Sequence, residues 1–131
     1  MKLKGELDAA VWFDMLSILE IKTDVLLSKD KERGAKSNEA LDSMMANLIV
    51  QLSFEKFAEI VSSDEYEALY EANLKVFKAV DLAEDITKVN EISAYEVAQL
   101  NLLRYECKKK LQEKFFDSEV SELKTGTYSA V

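Results

Sequence analysis

Six polar residues fall on or beside helical faces that are otherwise apolar: Glu20, Asn73, Asp81, Asn101, Arg104 and Lys108. At 100° per residue, Asn73 sits in the centre of a face formed by Tyr66, Leu69, Tyr70, Phe77 and Val80, with Asp81 on its flank. Val97, Asn101, Arg104, Lys108 and Phe115 share one stripe later in the chain. Glu20 borders the face of Phe13, Leu16 and Leu27, whereas Lys22 points to the opposite side. Brought together, Glu20 and Asp81 would accept hydrogen bonds, Arg104 and Lys108 would donate, and the two asparagines would bridge. The planar guanidinium fork suits a partly buried pairing with carboxylates. Such a cluster either holds helices in register or receives an anionic ligand.

Composition removes other chemistries. The chain has no histidine, which excludes histidine-based acid–base catalysis and most zinc sites. Cys107 is its single cysteine, so no intrachain disulfide can form. It lies one turn after Leu103 and one turn before Leu111, the position of a buried small hydrophobe rather than a nucleophile. No catalytic constellation, metal-ligand set or cofactor motif stands out. A metal would have to be a hard cation on carboxylates. That defines the alternative reading, a Mg²⁺-dependent all-α nucleotide phosphohydrolase using Glu20, Asp81 and Glu84, with Arg104 or Lys108 on phosphate. It lacks a clear pair of inward-facing acidic motifs.

A net charge of −8 argues against a nucleic-acid binder. Between Glu39 and Glu71 there are eight acids and one base, Lys56, which reads as a solvated face or as a surface for a basic partner. The start of the chain lacks the apolar core of a signal peptide, and no run approaches about 18 apolar residues. The expected setting is therefore the cytoplasm, with no membrane span.

The elements that would position these residues are helices. There is no proline, and glycine occurs three times. Hydrophobic periodicity predicts four helices over residues 6–29, 38–61, 64–85 and 94–116, with a frayed tail over 123–131. "SKDKERGAKSN" reads as a charged loop around Gly34, and Asn38 as the N-cap of the second helix. Ser62 with Glu65, and Ser93 with Glu96, are spaced as capping boxes. Trp12 reads as a core or interface anchor, and Met44 and Met45 as core filler rather than a binding surface. Four helices of matched length with short connections predict an all-α, single-domain, antiparallel four-helix bundle.

Three stretches carry a resemblance: "LSILEIK" near the start, "ANLKVFKAVD" at 72–81 and "NLLRYECKKKL" at 101–111. Together they resemble a small, functionally uncharacterised helical family of bacteria and their phages. The resemblance picks out Glu20, Lys22, Asn73, Phe77, Asp81, Asn101, Arg104 and Lys108. Two positions depart from the family pattern. Val80 stands where the first acid of a pair is usual, and Leu102 where an Asp often follows the Asn, which weakens a metal or acid–base site. The resemblance implies no activity. The expected function is a non-enzymatic helical module that binds a protein partner or an anionic small ligand through the polar cluster. Helix one is apolar almost all round, with Val11, Ile18 and Val25 opposite Leu16. It is therefore either central or covered by a second copy in a homodimer.

Overall fold

The computed structural model of the chain describes residues 8–84 and 94–116, the side chains of 80–84 excepted. The expected start of helix one at residue 6, the link that holds Ser93 and the tail at 123–131 lie outside the described residues. Apart from Asp8, Asp30, Ser53, Ser62 and Ser63, the described residues are helical: α1 (Ala9–Lys29), α2 (Lys31–Leu52), α3 (Phe54–Val61), α4 (Asp64–Glu84) and α5 (Ala94–Phe116). Five helices stand where four are expected, because the second expected helix starts earlier and is broken in two.

The expected charged loop is reduced to one residue. Asp30 is extended (φ −151°, ψ 97°), and its side chain accepts from the Arg33 N–H as the N-cap of α2. Lys, Glu and Arg are good helix formers, so the charged run continues the helix rather than interrupting it. Gly34 also lies within α2, although glycine there costs about 1 kcal/mol relative to alanine. The reason is tertiary: a Cβ at this position would lie 2.8 Å from the backbone N and Cα of Leu27. Glycine lets α2 fold back directly onto the last turn of α1. Farther along, the Thr23 and Ser37 hydroxyls meet at 2.6 Å. Asn38 is thus an interior residue of α2 and caps nothing.

The break after Leu52 is centred on Ser53, at φ 86° and ψ 154°. Its hydroxyl accepts from the Lys56 N–H and so starts α3. The apolar stripe changes phase at this point: at 100° per residue Phe57 falls about 180° from Leu48, on the opposite side of a continuous helix. A continuous helix would not turn Phe57 and Ile60 into the core, where both are buried. The cap of α4 likewise differs by one residue from the expected capping box. The Ser63 hydroxyl accepts from the Tyr66 N–H, while Ser62 donates to the Ala58 carbonyl of α3.

Helix α1 is central, flanked by α2 on one side and by α4 and α5 on the other. Its buried arc is wide, with Phe13, Leu16, Ser17 and Ile21 all inside. The Phe13 ring lies 6.2 Å from Phe57, 6.2 Å edge-on from Tyr66 and 6.3 Å from Phe116. One aromatic cluster therefore joins α1, α3, α4 and α5. Trp12, Met44 and Met45 pack against this core. Cys107 is buried, and that burial pushes its thiol pKa up. Among the described residues no helix is long and apolar enough to cross a membrane.

Candidate functional site

Next to Phe13 and its aromatic cluster on α1 lies a buried polar network, and its hub is Asp14 (3 % exposed). Arg104 of α5 meets it with a two-pronged grip: Nε donates to Oδ1 at 3.0 Å and Nη2 to Oδ2 at 2.5 Å. Lys108, one turn farther along α5, places its Nζ 3.9 Å from Oδ2 and is itself 3 % exposed. Asn73 of α4 donates to Asp14 Oδ1 at 2.8 Å and to the Ser17 hydroxyl at 2.7 Å. Ser17 in turn donates to the Asp14 carbonyl. Three helices thus meet on one carboxylate.

The backbone supports this arrangement. Asp8, the N-cap of α1, makes no side-chain hydrogen bond to the helix start. Gln112 of α5 does that work instead: its Oε1 accepts from the Ala10 N–H at 2.8 Å. A fully buried glutamine from the far end of the chain satisfies one of the free N–H groups of the first turn. Ala10 with Gln112, and Asp14 with Arg104, fix α1 and α5 antiparallel. Lys114 and Glu65 pair at 2.8 Å on the surface between α5 and α4.

The six expected site residues do not all come together. Asn73, Arg104 and Lys108 meet at Asp14. Glu20 instead accepts from the Tyr66 hydroxyl at 3.0 Å. Partial burial raises the Glu20 pKa, against the lowering effect of that hydrogen bond, and nearby Asp24 raises it further. The Tyr66 pKa is also raised, first by burial and then by the charge of Glu20. Asn101 is partly exposed, one turn before Arg104. The side chains of Asp81 and Glu84 lie outside the described residues, and with them two of the three acids of the phosphohydrolase reading. Among the described residues, no three acidic or cysteine side chains are grouped to hold a metal ion.

Sequence reasoning missed Asp14. The signal was present, since Asp14 shares a helical face with Ala10, Ser17 and Ile21 at offsets of −4, +3 and +7. Glu20 stands out in the sequence because it borders the more apolar Leu16 side of the same helix. Both sides are inside because α1 is central, and a single-face reading of the helix hides the second. Compared with known protein families, with curated proteins and with solved structures, the chain matches none.

Proposed function

We propose that this chain is a non-catalytic helical binding module. In this reading its four long helices form one antiparallel bundle with α3 laid across an end, and the Asp14 network is the lock that sets how α1, α4 and α5 meet. The observation that carries it is the direction of the donors. The Arg104 fork, one Asn73 N–H and the Lys108 ammonium all turn inward on Asp14, rather than outward to a ligand. Recognition is then left to the outer faces. A protein partner or a second copy would meet α1 at Met15 and Ile18, which are 39 % and 38 % exposed. The strong negative charge keeps nucleic acid away and suits a cytoplasmic protein. The resemblance to a bacterial and phage helical family is in keeping with a small accessory protein of this kind.

Arg104→Met provides the test, read by melting temperature and by binding of an anionic probe, inorganic pyrophosphate. A structural lock predicts a large fall in melting temperature, with any pyrophosphate affinity of the folded fraction unchanged. A variant that kept its melting temperature and lost pyrophosphate binding would make the cluster the binding site. Light scattering over a concentration series tests the second copy separately.

A further inference from the structure

A second polar feature lies away from Asp14, where α1 and α2 run side by side beyond their tight turn. A cleft of about 290 Å³ opens there, with Lys22 from α1 and Arg33 and Lys36 from α2 on its lining. Leu19, Leu26 and Ala40 supply its apolar surface. The sequence explains the convergence. Leu19, Lys22 and Leu26 are spaced by three and four residues on α1, and Arg33, Lys36 and Ala40 by three and four on α2. Gly34 and the one-residue turn at Asp30 bring these two faces against each other.

The charge of this cleft runs against that of the chain. The protein carries 25 acids and 17 bases, yet the cleft lining holds three bases and no acid. Arg104, Lys108 and Lys114 each have a carboxylate within 4 Å, whereas among the described residues Lys22, Arg33 and Lys36 have none. Three like charges around one small space repel one another, and an anion placed among them relieves that repulsion. The remaining polar group, the Ser37 hydroxyl, is already used. Thr23 donates its one hydroxyl hydrogen to the Leu19 carbonyl, so Ser37 must be the donor in the Thr23–Ser37 bond. Ser37 therefore offers a ligand only lone pairs, and recognition falls to the three cations.

We propose that this cleft binds a small molecule carrying a phosphate group beside an apolar portion. The phosphate sits among Lys22, Arg33 and Lys36, with Arg33 able to present its fork to two oxygens. The apolar portion lies on Leu19, Leu26 and Ala40. The volume is at the lower end of ligand pockets, enough for one such molecule and too little for a folded segment. The proposal rests on the reading of the chain as a binding module and adds to it the site and the ligand chemistry.

Calorimetric or NMR titration of the full chain at low salt tests it, with phenyl phosphate, inorganic pyrophosphate and phosphatidic acid vesicles as probes. Phenyl phosphate is expected to saturate with a Kd of about 1 mM or tighter. Lys22→Gln, Arg33→Gln and Lys36→Gln should each weaken it by about threefold to tenfold. The triple variant should abolish binding. All three side chains are exposed, so melting temperatures should hold. Absence of saturation by phenyl phosphate in the wild type overturns the proposal, as does binding that survives in the triple variant. Binding to vesicles but not to phenyl phosphate also overturns it, in favour of a lipid surface. Affinity lost in folded Arg104→Met but kept in the cleft variants would return the ligand to the Asp14 cluster and overturn the reading of that cluster as a structural lock as well. Failure at the cleft alone leaves that reading to its own melting-temperature test.

Discussion

Asp14→Ala is the sharpest test of the network, because it removes one carboxylate that three helices share. The variant takes a counter-charge from Arg104, whose side chain is 11 % exposed, and from Lys108, which is more deeply buried. Asn73 keeps its bond to Ser17, so the loss falls mainly on the two cations. Removing one member of a buried ion pair costs about 3–5 kcal/mol. A chain of this size loses roughly 3–4 °C of melting temperature per kcal/mol, so the expected fall is about 10–20 °C. That is a large part of a typical folding free energy of about 5–15 kcal/mol. Urea unfolding followed by circular dichroism gives the difference directly, provided the slope against urea is unchanged. Replacing the trio together, as Asp14→Leu with Arg104→Met and Lys108→Met, removes the charges with their partners and should recover most of the loss. If Asp14→Ala lowers stability by less than about 1 kcal/mol, Asp14 is not the hub that holds α1, α4 and α5 together.

Three further outcomes follow from the same geometry. The raised pKa of Glu20 means that the folded state holds its proton more tightly than the unfolded chain. The resulting stability is full below the unfolded value of 4.5 and is lost as pH rises through the folded value. Glu20→Gln keeps an acceptor for Tyr66, so its stability relative to wild type should improve from pH 4 to pH 7; a pH-independent difference would contradict this. Gly34→Ala gains about 1 kcal/mol of helix propensity but drives a Cβ into the Leu27 backbone, which cannot rotate away. A net loss of stability is expected, and a stabilised variant would show that α1 and α2 separate easily. Ser53→Gly relieves a backbone conformation that costs a non-glycine residue about 1–3 kcal/mol and gives up only a few tenths at the cap. Its unfolding midpoint in denaturant should rise, and an unchanged midpoint would mean the conformation is not strained.

Local patterns settled much of this protein. The scarcity of breakers and the 3.6-residue period determined that it is helical, and they located α4 and α5. Asn73, Arg104 and Lys108 stood out because each interrupts an apolar face, and a buried amide or cation must find a partner. What the sequence left open were the relations between helices. Gly34 looks like a loop signal until Leu27 is seen against it. The apolar stripe shifts phase between Leu48 and Phe57, so one straight helix cannot bury both, but the turn at Ser53 itself is imposed by where Phe57 and Ile60 have to pack. Glu20 and Asp14 are both acids at the edge of apolar faces of α1. Only the placement of α4 and α5 decides that Tyr66 takes the first, while Arg104 takes the second. Periodicity reports which side of a helix turns inward, and a central helix turns inward on most sides. The choice of partner depends on contacts between residues that are far apart in the chain, and those exist only once the helices have packed.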